Sequence, residues 1–454
     1  MTKKHFQQVI KIGSPLLAGM FIEYILYLAD SVMIGRLGTE YLAAAAVGGL
    51  VAEMLWAFAW TTSAGTQTLS SRRFGRQDRT GSRFTGEIIE NGIVFGLFAG
   101  VLSLFLSIAA RTFLSALVES STTVSLAMEY VSVIRWLMPI TGVYFALYGF
   151  LAGINETKHL MYATIGVNLL NIGLNYLLIY GKAGFPAMGI KGAALGTLLA
   201  QSAGLVYFFV LFSVSEKLKQ YGLFRWHRLK KSILKDIFRA WLPVTLQYII
   251  IHGILLVYEG IISSLGTVYL AVFHIIFMIN WLGKSVTGAF AEGGAILVGN
   301  LLGRDDAEEA KKLIYACALI SLVIGCAVYI IAIAFPEILI RLFNSEPGTV
   351  FEGAKALRFF APFFILGSFG FILEIIFSHN GWGRFVLISD VTANLIFCIA
   401  FAYSAVKIFQ RGVVSAWAGF ALYLTLYTLV LWAGFFSGRW AKIRVDTGAG
   451  DASS

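Results

Sequence analysis

The sequence predicts an all-α polytopic membrane protein: twelve transmembrane helices, arranged as two parallel six-helix repeats (6+6) around a central cleft. Three observations carry this. Of the 454 residues, 58% are hydrophobic and only 13% are charged, whereas a soluble globular chain holds roughly a quarter charged residues. Apolar runs long enough to cross a bilayer as helices recur along the whole chain. And the first half returns in the second at an offset of 228 residues. Pro15 and the turn Leu37-Gly38-Thr39-x-Tyr41-Leu42-Ala43 reappear as Pro243 and Leu265-Gly266-Thr267-x-Tyr269-Leu270-Ala271, and Gly75-Arg76-x-Asp78 reappears as Gly303-Arg304-x-Asp306. Later the offset slips, Pro139 facing Pro362 at 223 residues, as a loop of different length produces.

The basic segment Met1–Lys11 runs straight into the first apolar stretch with no small-residue cleavage site, so a retained first helix is expected. Spans follow at about 14–36, 43–71, 87–110, 125–153, 159–181 and 192–213 in the first half. Those of the second half lie at about 240–264, 268–299, 313–335, 356–378, 385–406 and 415–437. Of the 35 basic residues, 24 fall on the side of the two chain ends and 9 on the other, with Arg135 and Lys284 inside spans. The positive-inside rule then makes both termini cytoplasmic in a multi-pass protein of the cell inner membrane. Six spans per half insert both halves in the same direction, which makes the repeats parallel and places a cavity between them. The domain reading is an N-lobe at 1–213, a basic cytoplasmic linker at 214–239, a C-lobe at 240–437 and a cytoplasmic tail at 438–454, whose end is small, polar and expected to be disordered. Because the net charge of +10 gathers on one membrane side, it serves topology and gives no reason to expect nucleic acid. Cys317, Cys326 and Cys398 all lie in apolar runs, so no disulfide framework is expected. No nucleophile–base set or metal cluster emerges from the sequence, and the chain is not expected to be an enzyme.

Ionisable residues at membrane depth are costly and point to function. Glu23 and Asp30, inside the first span, are seven residues apart and therefore share a helix face. As a coupled pair they can hold a proton between them. Carboxylate and amide oxygens are equally the hard ligands that an alkali cation takes, by analogy with calcium and magnesium sites. In the fifth span Asn168, Asn171 and Asn175 form an i, i+3, i+7 stripe, which must face protein or water. Such a stripe serves either a site or interhelical hydrogen bonding, and its spacing does not separate the two. The second half carries Glu259, Glu292, Glu374 and Asp390, with His252 seven residues before Glu259 and His274 in the next span. The 228-residue offset maps Asp30 onto Tyr258, so Glu259 points about 100° away from the equivalent face. In the eleventh span Asp390 and Asn394 lack a third member, and no converging set of oxygens is expected there. Arg135 and Lys284 are expected to pair with acids or to snorkel.

The first span ending LADSVMIGRLG, the NIGLNYLLIYG run, the GFPAMGIKGAALGT loop and the 6+6 repeat together resemble the multidrug and toxic compound extrusion (MATE) transporters, and more closely their DinF-like branch. The resemblance runs through essentially the whole chain and is strongest over residues 15–80 and 165–197. It implies a secondary active antiporter that exports organic, mostly cationic compounds through a cleft between two six-helix lobes, in exchange for H+ or Na+, with no cofactor. Carried over residue by residue, it implies an essential Asp30, with Glu23 beside it, Asn171 and Asn175 as fifth-helix partners and Thr197 on the sixth helix. Sodium, where it is the coupling ion, would sit at Asp30, Asn171 and Asn175. Glu23 stands where that branch usually has Gln, and Asn175 where an acid is common. The branch resembling NorM uses acids of the seventh and tenth helices, here Glu259 and Glu374. With His252 and Glu292 these are assigned to the substrate cleft, and coupling to the first lobe. A related architecture flips lipids or lipid-linked oligosaccharides. Its pyrophosphate-bearing cargo calls for bases at membrane depth, where this chain has two against at least six acids. The expected partners are small organic cations and membrane lipids, for a monomer.

Overall fold

The computed structural model describes residues 2–76, 82–118, 120–223, 229–410 and 413–445. Asp78 of the repeated motif, linker residues 224–228 and the tail from 446 onward lie outside them.

Helices α1 (Lys3–Gly35), α2 (Thr39–Gly75), α3 (Ser82–Leu106), α5 (Thr157–Tyr180) and α6 (Gly189–Val214) form the first repeat together with a bent fourth. The second repeat comprises α7 (Lys231–Ser263), α8 (Thr267–Gly303), α9 (Ala307–Ala334), α10 (Pro347–Ser378), α11 (Gly383–Ile408) and α12 (Val413–Phe436). Eleven of these twelve are single helices long and apolar enough to span a membrane. The twelfth, α4, is a pair, Ser121–Ile134 and Leu137–Gly153, bent by 49° at Arg135–Trp136. No strand occurs among the described residues.

Local chemistry sets the helix ends. Ser120 caps α4 by accepting from the Thr123 amide at 3.2 Å, and Asp306 caps α9 by accepting from the Glu309 amide at 3.1 Å. Pro347 opens α10, where its missing amide hydrogen costs nothing. The repeated Leu-Gly-Thr turn is the same object twice. Gly38 and Gly266 take φ of 131° and 132°, a region open to glycine. Their amides donate to the carbonyls of Gly35 and Ser263 at 3.2 and 3.1 Å.

The chain divides into two compact units, and the division falls inside helices. One unit holds Met1–Leu17 with Leu246–Arg444; the other holds Ala18–Thr245. Both switches come two residues after a repeat proline, Pro15 or Pro243, where a helix lacks a backbone hydrogen bond.

Within the first of these units the foot of α1 packs on α8. Gly293 admits it, since a β-carbon there would stand 3.0 Å from the Gly13 amide nitrogen. Val9 is fully buried in that unit's core, and His5 Nε2 lies 2.9 Å from the Glu309 carboxylate. Within the other unit the foot of α7 packs on α2 in the same way. Gly65, which the 228-residue offset pairs with Gly293, admits Ile237, whose carbonyl oxygen would stand 2.9 Å from a β-carbon. Trp241 Nε1 donates to the Phe58 carbonyl at 2.9 Å, and the Thr61 and Thr245 hydroxyls lie 2.7 Å apart. Small residues at such crossings let backbones approach where no hydrophobic force drives helices together in lipid.

Candidate functional site

In the unit containing Ala18–Thr245, α1, α5 and α6 bring four of the sequence candidates into one chain of hydrogen bonds. The Asn175 amide donates one hydrogen to Asp30 Oδ1 at 2.7 Å and the other to Asn171 Oδ1 at 2.8 Å. The Asn171 amide donates to Thr197 Oγ1 at 3.0 Å, and that hydroxyl donates to the Ala193 carbonyl at 3.0 Å. Asn171 and Asn175 are one turn apart on α5, which is why the pair can bond head to tail. Asn175 is fully buried, and its Oδ1 has no hydrogen-bond partner. Gly196 on α6 makes room for it, since a β-carbon there would stand 2.0 Å from that oxygen.

Two candidates stand outside this chain of hydrogen bonds. Asn168, third in the stripe, is buried but takes no part in these hydrogen bonds. Glu23 is placed apart from Asp30. Seven residues of helix rise separate them by about 10 Å along α1, and Glu23 lies instead in the electrostatic neighbourhood of Tyr144 on α4. The sequence reading also passed over Glu53, on α2, which together with Asp30 acts electrostatically on Tyr130. As an acid in the second span, it was visible to a count of charges at membrane depth.

The other unit contains a cluster that the sequence reading did not assemble. Asp390, on α11 and 3% exposed, accepts from Gln247 Nε2 at 2.7 Å, from Asn394 Nδ2 at 2.8 Å and from the Tyr423 hydroxyl at 2.9 Å. Gln247 Nε2 also donates to Glu374 Oε1 at 3.1 Å, so one amide joins the carboxylates of α10 and α11. The third member that the eleventh span itself lacks is supplied by other helices, Gln247 on α7 and Tyr423 on α12. The Asp390–Asn394 pair repeats the one-turn, head-to-tail geometry of Asn171–Asn175, a signal present in the sequence. The α7 partner was hidden because Gln247 lies eleven residues, three turns, before Tyr258, the counterpart of Asp30. Tyr258 is fully buried and donates its hydroxyl to the Ala416 carbonyl at 2.9 Å. Beyond Asn394, α11 winds in π-helical form over Leu395–Phe401, a departure frequent beside functional sites.

The remaining candidates are separate. His252 places Nδ1 2.7 Å from the Tyr248 carbonyl and its ring on the Tyr248 ring, with centroids 4.0 Å apart. Glu259 is half-buried, within electrostatic reach of His274. Glu292 stands 3.8 Å from His379 Nδ1. Lys284 lies over the Phe371 ring at 5.0 Å and within electrostatic reach of Glu374 and Asp390. Arg135, at the bend of α4, lies over Trp136 at 5.6 Å.

Twelve membrane helices in two equivalent sets of six, each set holding a carboxylate hydrogen-bonded by at least one side-chain amide, define the class: a helical membrane transporter of two repeats. Comparison with known proteins gives the family. The MatE family model matches residues 15–177 and again residues 243–404, two matches whose starts differ by the repeat offset of 228. The chain belongs to the MatE family. It is similar to the Probable multidrug resistance protein NorM of Thermotoga maritima, at 28% identity over 97% of this chain and 94% of the relative. A protein of the same name from Rhizobium meliloti is 24% identical over 96% of this chain and 90% of the relative. Among solved structures, a MOP superfamily transporter from Pyrococcus furiosus, described as having a binding pocket of reverse polarity that suggests a different function, matches with a TM-score of 0.87. Its identity is 24%, over 97% of both chains. The outward-facing conformation of a multidrug resistance MATE family transporter of the MOP superfamily matches at 0.85 and 23% identity, over 96% of this chain and 97% of that one. At these identities the solved structures establish the fold.

Proposed function

We propose that the chain is a secondary active multidrug efflux antiporter that exports organic, mostly cationic compounds in exchange for H+ or Na+, with coupling at Asp30. The observation that carries this reading is the hydrogen-bond chain Asp30–Asn175–Asn171–Thr197 across α1, α5 and α6. A proton or cation arriving at Asp30 competes for the oxygen that holds the Asn175 amide. Loading the carboxylate loosens α1 from α5 and disturbs a series of bonds ending on α6. A hydrogen bond to a charged group contributes about 1.5–3 kcal/mol, the scale of coupling free energies between linked sites. If sodium is the ion, the oxygens of Asp30, Asn171 and Asn175 are its ligands, the last through the Oδ1 that now lacks a partner. Acids outnumber bases at membrane depth, which suits organic cations and argues against a flippase for pyrophosphate-linked lipids. The 24-to-9 split of basic residues supports cytoplasmic termini and an inner-membrane location. Each chain carries both repeats, and a monomer suffices.

A second reading is that coupling runs through Asp390 and Glu374, favoured by the Gln247 amide joining the two carboxylates. Substrate flux in proteoliposomes, with a pH gradient and a sodium gradient imposed separately, tests both. Flux is expected to follow one gradient and to lose that dependence in Asp30→Asn. Flux indifferent to both gradients refutes antiport. Dependence retained in Asp30→Asn and lost in Asp390→Asn moves the coupling site to the second repeat.

A further inference from the structure

On the unit that contains α9, α10 and α12, these three helices enclose an open groove of about 720 Å3. Its walls are apolar, with Leu319, Leu322, Leu366 and Phe436 among them. The Phe369 and Trp432 rings form one wall, stacked with centroids 4.3 Å apart and planes 13° from parallel. The wall's own polar groups are already satisfied. Thr428 Oγ1 donates to the Leu366 carbonyl at 3.1 Å, and Trp432 Nε1 donates to the Phe369 carbonyl at 3.3 Å. Apart from the Tyr315 hydroxyl, nothing on these walls calls for water or a polar guest.

Depth follows from helix rise. Leu322 is fifteen residues into α9, about 22 Å from its start, and Phe436 is the last residue of α12. The lining itself extends only from Tyr315 to Leu322 on α9 and from Thr428 to Phe436 on α12, about 10–12 Å of helix rise. That is less than half of a hydrocarbon core about 30 Å thick, so the groove fits one leaflet, on the side where α9 begins and α12 ends. Basic residues flank it at that end. Lys311 stands one turn before Tyr315, a lining residue, on the same face of α9. Arg439 follows Phe436 by three residues, in a turn anchored by Trp440. That ring is 4% exposed, donates to the Phe435 carbonyl at 3.0 Å and stacks on the Phe435 ring, which in turn meets Tyr315 edge-on at 5.2 Å. Lys312 is committed to Glu309 at 3.0 Å, and Glu308 carries the opposing charge one turn before Lys311. Lys311 and Arg439 are exposed and form no ion pair among the described residues.

We propose that this groove is a binding site for an anionic phospholipid: one acyl chain lies along the Phe369–Trp432 wall, and the headgroup phosphate meets Lys311 and Arg439. The walls select a hydrocarbon chain, and the two free cations at the mouth select the charge of the headgroup. A juxtamembrane basic residue near the membrane surface favours anionic lipid by a margin that amounts to about a fivefold preference per charge.

The test uses the full chain in phosphatidylcholine vesicles containing a minor fraction of either phosphatidylglycerol or phosphatidylcholine with brominated acyl chains. Bromine quenches tryptophan at contact, and the difference between the wild type and Trp432→Phe isolates the signal of Trp432. Brominated phosphatidylglycerol is expected to quench Trp432 at a lower membrane fraction than brominated phosphatidylcholine. Lys311→Gln and Arg439→Gln, both on the exposed surface, each lower that preference about fivefold. Leu319→Trp fills the groove, and in that background the further change Trp432→Phe removes no lipid-dependent quenching. Equal quenching by the two lipids overturns the proposal, as does no quenching of Trp432 by either, or a preference that survives loss of both charges.

Discussion

Gly196→Ala tests the Asp30 network without substituting any residue in it. The new methyl group would stand 2.0 Å from Asn175 Oδ1, a separation no carbon–oxygen contact tolerates, so the amide must turn away from Asp30 and Asn171. The bond lost to Asp30, 2.7 Å long in the wild type, is charge-assisted and contributes about 1.5–3 kcal/mol. Without that competition a coupling proton binds Asp30 roughly tenfold to a hundredfold more tightly. The assay is efflux from proteoliposomes at graded counter-ion concentration. The concentration giving half-maximal efflux should fall by that factor, and the maximal rate should fall too because the ion leaves slowly. General instability is a poor rival explanation, since Ala favours a helix over Gly by about 1 kcal/mol. The decisive comparison is a double-mutant cycle. Asn175→Ala removes the atom that the methyl group strikes, so adding Gly196→Ala to it should change nothing. If Gly196→Ala leaves half-maximal efflux where it was, or is as harmful in the Asn175→Ala background as in the wild type, the network does not work as described.

Asp30→Asn should abolish ion-driven export while leaving the melting temperature within a few degrees of wild type, since shape is kept and only the charge is lost; normal dye export by cells carrying it would refute the coupling role. Asp390→Leu should destabilise the protein by roughly 1–3 kcal/mol, because three donors lose their acceptor, and Asp390→Asn by less, a ranking that thermal unfolding in detergent checks. Glu374→Gln should change drug preference or apparent affinity while ion-driven flux persists; loss of coupled flux for every substrate, with Asn171→Ala still coupled, would reverse the assignment. Cysteines placed at Ser232 and Glu346 should be labelled by an impermeant thiol reagent only from the cytoplasm and only from outside, respectively, and labelling of position 232 from outside would break the twelve-span topology.

The helices were legible because lipid enforces a simple rule: apolar length makes a span, and the 228-residue repeat states the pattern twice. The bend in α4 was missed although its cause is in the sequence: Pro139 has no amide hydrogen and its ring crowds the carbonyl of Arg135, four residues earlier, where the helix breaks. The Asp30–Asn175 pairing was within reach because each partner lies on a stripe whose face follows from periodicity. The Asp390 cluster escaped for a different reason. Its three donors come from three different helices, and Gln247 enters three turns away from where the repeat places its counterpart, so no local spacing announces it. Gly196 escaped as well, because a glycine among many says nothing until its neighbour's oxygen is seen.

The exchange of helix feet at Pro15 and Pro243 has a bearing on ancestry. Each half of the gene encodes a segment that it does not itself house: residues 1–17 settle among the later helices, and residues up to Thr245 among the earlier ones. A six-helix ancestor with the same geometry would have been a swapped dimer, each subunit lending the foot of its first helix to the other. The notches at Gly65 and Gly293, now 228 residues apart in one chain, would then have been a single notch used twice. Fusion of two such genes would turn an intermolecular loan into a covalent one, and a half-length fragment produced today would expose an unfilled notch at its own Gly65 or Gly293 until its other half supplied the missing helix end.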